Sequence, residues 1–250
     1  VPALNQAELV LVHDPLAGDL FWQPVAGALR VRGRTVSVPS LTGVFDAPGP
    51  YYPELLDAVA RQLAAVPIVR AAPVVLAGHS AAGALLPALR ELLTRGHRPP
   101  RTVAGTVYVD APWPHPGRSG LAALLPEQAA RLRELAEDGV LPPWDICFAE
   151  QDLIDEVPDP VLREQFRAGL PRLPLAYFQE PAPSALPDPD PARTAYLRLS
   201  PRYEETAMRV EALGHRVLRR TAHHMSPLTD PEATADALEK LALRFALRSA

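Results

Sequence analysis

Pro73-Val74-Val75-Leu76-Ala77-Gly78-His79-Ser80-Ala81-Ala82-Gly83 decides the reading of this chain. Five apolar residues form a short buried strand, and they run without a linker into small residues around one serine. A serine hydroxyl is a poor nucleophile until its oxygen is presented and a base takes its proton. A sharp strand-to-helix turn presents it, and the backbone folds so tightly there that the flanking positions must be small. Gly78, Ala82 and Gly83 meet that demand around Ser80. The helix after Ser80 points its positive end at the site, and the Ala81 N–H faces the place where an oxyanion would form. The alternative reading is a serine that only caps the helix.

Outward from this turn, strand-like and helix-like segments alternate. Glu8–His13, Thr35–Val38, Pro73–Ala77, Thr102–Val109, Thr194–Leu199 and Arg216–Arg219 read as strands. Helices are expected over Leu20–Arg32, Tyr51–Val66 and from the turn to Arg95, with Pro87 bending the last. The final helix begins with Asp230 as N-cap and Pro231 at its first position. This rhythm predicts an α/β fold, a mostly parallel sheet flanked by helices on both faces. The segment from Ala111 to Arg193 breaks it. Two helices, about Leu121–Asp138 and Asp159–Ala168, lie among Pro-rich turns, and the chain's 30 prolines thicken here. The expected organisation is a core of residues 1–110 and 194–250 with residues 111–193 inserted as a lid over the carboxyl ends of the strands.

The 250 residues suffice for one well-buried core, and a net charge of −4 with 48% hydrophobic residues is ordinary for a globular protein. No basic stripe points to nucleic acid, and no apolar run of about 18 residues points to a membrane span. A single cysteine, Cys147, allows no intrachain disulfide. Val1-Pro2-Ala3-Leu4 shows no secretion signal, so a cytoplasmic location is expected.

Three motifs in order resemble the α/β-hydrolase superfamily. Val10-Leu11-Val12-His13 followed by Trp22 is similar to its oxyanion-loop segment, and Gly78 to Gly83 to its nucleophile elbow. His224-Met225-Ser226-Pro227-Leu228-Thr229-Asp230-Pro231 is similar to the loop of its catalytic histidine. The resemblance is to small lidded serine esterases and to the plant esterase/hydroxynitrile-lyase group. It implies Ser80 as nucleophile and His224, rather than His223, as base. His13 is expected to prop the oxyanion loop, and His97, His115 and His215 to be solvated in turns.

The acid that orients the imidazole has two possible sources. The position after the Thr194–Leu199 strand reads Ser200-Pro201-Arg202-Tyr203-Glu204-Glu205, with Arg202 near the place of the usual carboxylate. Asp110, at the end of the preceding strand, is therefore the expected acid, with Glu204 and Glu205 as alternatives. Asp110 could also serve only as a loop cap.

One departure bears on the chemistry. Where the resembling enzymes have glycine and then an N–H donor after the loop histidine, this chain has Asp14 and Pro15. Proline has no N–H, and loss of one oxyanion donor costs about 3 kcal/mol. Either Leu16 or another N–H serves instead and the chain hydrolyses an ester or thioester, or the scaffold performs proton transfer as a lyase, cyclase or epimerase with Asp14 and His224. A ligand-binding protein with little turnover is a third possibility. The expected partner is a small apolar or aromatic substrate, and the chemistry calls for no cofactor or metal. Ala81, Asp14, Pro15, Leu16, Trp113 and Trp144 are the expected oxyanion and substrate contacts. Leu20, Phe21, Phe148, Tyr177 and Phe178 could complete the pocket, with Cys147 as a buried apolar filler and Asp152, Asp155 and Glu156 as a solvated edge.

Overall fold

A computed structural model of the chain describes residues 7–65, 72–96 and 100–246. His97 and Val66, and the side chains of Phe148 and Asp152, lie outside the described residues. The first half alternates β1 (Glu8–Val12), α1 (Gln23–Val31), β2 (Val36–Ser37), α2 (Tyr51–Ala65), β3 (Val74–His79), α3 (Leu86–Glu91) and β4 (Val103–Val109). The inserted stretch holds α4 (Gly120–Ala123), α5 (Pro126–Leu135), β5 (Val140–Leu141), α6 (Glu150–Glu156), α7 (Pro160–Ala168), β6 (Leu173–Pro174) and α8 (Leu175–Gln179). The chain closes with β7 (Thr194–Arg198), α9 (Glu204–Ala212), β8 (Arg216–Arg219), α10 (Ser226–Thr229) and α11 (Pro231–Ala246).

Six strands pair in parallel in the order β2-β1-β3-β4-β7-β8, while β5 and β6 form a separate antiparallel pair. Side-chain alternation divides the core between the two faces of the sheet. Val10, Val12, Leu76 and Tyr108 pack with α2, α3 and α9, while Leu9, Leu11, Val75 and Val107 pack with α1 and α11. Strand order reverses direction between β1 and β3, and the loops leaving their carboxyl ends diverge there. Such a switch point opens the crevice in which α/β folds take ligands. Asp14 follows β1 and Ser80 follows β3, so both stand at its mouth.

Proline accounts for the departures from the expected helices. The single helix expected after Ser80 is instead a 3-10 turn over Ser80–Ala84, then α3 with Pro87 in its first turn, then a π-turn over Leu92–Gly96. Pro87 lacks an N–H and is accommodated where none is required. Likewise the helix expected over 121–138 is broken before Pro126 into α4 and α5, since the residue before proline is driven out of helical conformation. Asp230 caps α11 as expected, and Asp159, expected as the start of a helix, caps α7, each carboxylate accepting a first-turn N–H.

Candidate active site

Ser80 has φ +53°, a left-handed conformation that costs a non-glycine residue about 1–3 kcal/mol. The turn is built by close approach. A Cβ on Gly78 would come within 2.9 Å of the Leu86 side chain, and one on Gly83 within 2.9 Å of the Ala111 Cβ. Asp110, after the neighbouring strand, has φ +39°. Pairing of His79 with Val109 brings these two strained residues side by side at the carboxyl edge of the sheet.

Asp110 is fully buried, and its carboxylate meets two demands. It accepts the N–H of Leu199 at 2.6 Å and of Ser200 at 2.9 Å, fixing the exit of β7. One of its oxygens also lies 3.3 Å from His224 Nδ1. Asp110 therefore both caps the loop after β7 and contacts the His224 imidazole. Glu204 is placed elsewhere, paired with Arg198 and Arg219, and Glu205 is exposed at the start of α9.

His224 is buried, with Tyr203 stacked on one side at 5.3 Å and His79 tilted against it at 4.2 Å between ring centres. Burial holds His79 well below the usual imidazole range, and its Nε2 hydrogen-bonds the His224 carbonyl at 3.1 Å. His223 turns the other way, its Nδ1 3.3 Å from Glu156. Glu156 also accepts the Met225 N–H at 2.8 Å, so α6 is tied to the histidine loop. That corrects its assignment to a solvated edge. Removing this acceptor in Glu156→Ala is expected to cost about 1–3 kcal/mol. The check is thermal melting, where a chain of this size loses about 2–4 °C per kcal/mol; an unchanged melt would make the tie energetically idle.

The loop after β1 is held by His13. Its Nδ1 donates to the Asp14 carbonyl at 2.8 Å, and its Nε2 accepts the Leu41 N–H at 2.9 Å. Burial lowers its pKa below the usual imidazole value, against the opposing pull of the Asp14 carbonyl and carboxyl. The Asp14 side chain is itself buried and points into the site. One carboxyl oxygen takes the Leu16 N–H at 2.8 Å and the other takes the Ala81 N–H at 3.2 Å. The Leu16 and Ala81 N–H groups thus both point at the Asp14 carboxyl. Burial raises its pKa, while the hydrogen bonds from Leu16, Ser80 and Ala81 pull the other way.

A cavity of about 300 Å³ opens on these residues, lined by Asp14, Leu16, Ser80, Ala81, Trp144 and His224. Tyr52, Tyr177, Phe178 and Tyr203 complete its aromatic wall, and Arg202 and His115 also line it. Neither Pro15 nor Trp113 belongs to it. Pro15 lines a separate cleft behind the loop with His13, Leu41 and Gly169. Trp113 packs on Tyr108 at 5.0 Å and His215 at 5.4 Å, so His215 is buried rather than solvated. Phe21 is a core residue stacked on His79, and Leu20 packs beside it. Cys147 is buried, its thiol donating to the Pro142 carbonyl. The sequence does not single out Tyr52 or Tyr203: one stands in the first turn of α2 and the other ends a 3-10 turn, where too few positions repeat to mark which way a ring faces. Among the described residues no cluster of His, Cys, Asp or Glu is arranged to hold a metal, and no helix is long and apolar enough to cross a membrane.

The family model described as "Alpha/beta hydrolase family" matches residues 9–237, and the chain belongs to that family. Solved structures with the same fold include an extracellular α/β-hydrolase from a Paenibacillus species, said to share structural and functional homology with tobacco salicylic acid binding protein 2. It is 20% identical, with TM-score 0.69 over 94% of this chain and 98% of that one. A pyrethroid hydrolase from Sphingobium faniae is 21% identical, with TM-score 0.60 over 94% and 97%. Tomato methylketone synthase I, bound to β-ketoheptanoate, is 13% identical, with TM-score 0.67 over 96% and 98%. No curated protein matches the chain.

Proposed function

We propose that the chain is a serine hydrolase of small, largely apolar or aromatic esters or thioesters, acting through Ser80, His224 and Asp110. The observation that carries this reading is the left-handed Ser80 at the carboxyl end of β3, opening on the same cavity as an imidazole with Asp110 at its Nδ1. His224 Nε2 takes the hydroxyl proton as Ser80 Oγ bonds to the acyl carbon. The same proton passes to the departing alcohol or thiol as that bond breaks, and water, deprotonated by His224, then releases the acid. The inserted segment acts as a lid, its Trp144, Tyr177 and Phe178 covering the acyl group. Hydrolase neighbours of the same fold agree with this reading.

The placement of Asp14 favours a second reading. A carboxyl that already holds the Ala81 and Leu16 N–H groups leaves little for an oxyanion, and beside His224 it forms a pair suited to proton transfer in a lyase, cyclase or epimerase. Fluorophosphonate labelling separates the two. An activated Ser80 is expected to label within minutes and Ser80→Ala not at all. Absence of labelling in the folded wild-type protein would remove the hydrolase reading and leave Asp14 and His224 as the reactive pair.

A further inference from the structure

Asp14 is a buried carboxyl facing a cavity, and among the described residues no lysine or arginine pairs with it. A buried charge without a counter-ion is costly, so it invites either a proton or a cationic partner. Around it stand Tyr52, Trp144, Tyr177, Phe178 and Tyr203, whose ring faces attract cations when water is excluded. Two further carboxylates lie behind this wall: Asp110, and Glu180, which accepts the N–H groups of Tyr51 and Tyr52. Of the positive or titratable groups lining the cavity, Arg202 is exposed, His115 is half-buried and His224 is held by Asp110. The inner end of the cavity therefore offers an unpaired buried carboxyl ringed by aromatic side chains.

The two bonds that hold Asp14 are unequal, 2.8 Å from Leu16 and 3.2 Å from Ala81. The longer one is the weaker. A donor on the substrate competing for that oxygen would free the Ala81 N–H for the carbonyl being attacked. A neutral ester offers no such donor and meets a filled oxyanion site.

We propose that the site selects esters or thioesters whose acyl group carries a protonated amine near the scissile carbonyl, with Asp14 as its counter-ion and the aromatic wall around the ammonium. This specificity rests on the serine-hydrolase reading. Two nearly isosteric substrates test it, p-nitrophenyl β-alaninate and p-nitrophenyl butanoate, at about pH 7 where the amine is protonated. After subtraction of the uncatalysed rates, kcat/KM is expected to favour the amino ester at least about tenfold. Asp14→Gly should raise butanoate hydrolysis and lower that of the amino ester, and Asp14→Asn, which keeps the shape without the charge, should also lose the preference. A wild-type enzyme that prefers butanoate, or treats the two alike, overturns the proposal while leaving the hydrolase reading intact. Binding of β-alaninamide against butanamide to Ser80→Ala provides a readout free of turnover. Equal affinities there overturn the amine specificity, whereas failure of the folded wild-type protein to turn over either ester strikes the hydrolase reading instead.

Discussion

Asp110→Asn is expected to lower kcat about 10⁴-fold, with KM little changed. An amide at this position can still accept from Leu199 or Ser200, but its NH2 cannot accept from His224 Nδ1–H. The imidazole then settles in the wrong tautomer and presents no lone pair to Ser80. The fold is a separate matter. Asp110→Ala removes the acceptor of two buried N–H groups, and each orphaned donor costs about 1–3 kcal/mol. Comparison of the two variants by kinetics and melting therefore divides the residue's roles. Full activity in a folded Asp110→Asn would mean the carboxylate only secures the β7 exit.

Arg101→Met is expected to destabilise the chain by about 3–5 kcal/mol while sparing activity at low temperature. Arg101 Nη2 lies 2.6 Å from Glu8 Oε2, and both side chains are buried at the amino ends of the strands, opposite the site. Removing the guanidinium leaves the Glu8 carboxylate in the interior with the Ser37 hydroxyl as its remaining side-chain donor. The loss should appear as a fall of about 2–4 °C per kcal/mol in melting temperature. The double replacement Glu8→Leu with Arg101→Met should recover most of it, because the cost arises from the orphaned charge rather than from the lost pair. A melt unmoved by Arg101→Met would show that Glu8 is neutralised in another way.

The inner strands β1, β3, β4 and β7 are readable from sequence because each is a short, largely apolar run between turn residues, and parallel strands buried on both faces need little else, while the edge strands β2 and β8 show through the alternation of elements. The elbow is readable for a related reason. Gly78 has no room for a side chain because Leu86 of the next helix lies against it, a constraint within one short stretch, whereas Gly83 is crowded by Ala111 and Pro112 from the neighbouring strand's exit. The inserted segment offers no such handle. Its helices are short and interrupted by proline, so periodicity does not show which aromatics turn inward, and Trp113 and Trp144 are indistinguishable until Tyr108 and His215 are seen to claim the first. The side-chain direction of Asp14 is likewise a tertiary matter. It follows from Pro15, which leaves Leu16 as the loop's donor, and from Ala81 sixty-seven positions later in the chain.

Under the proposed triad, with its acid at the end of β4, the turn after β7 is left with a different part to play. It presents no carboxylate to the imidazole, and Arg202 and Tyr203 line the cavity. Tyr203 is stacked on His224, but Arg202 is exposed and can be exchanged without touching the contact between His224 and Asp110, so this position is the natural place for selection, in nature or in a directed library, to retune what the cavity accepts.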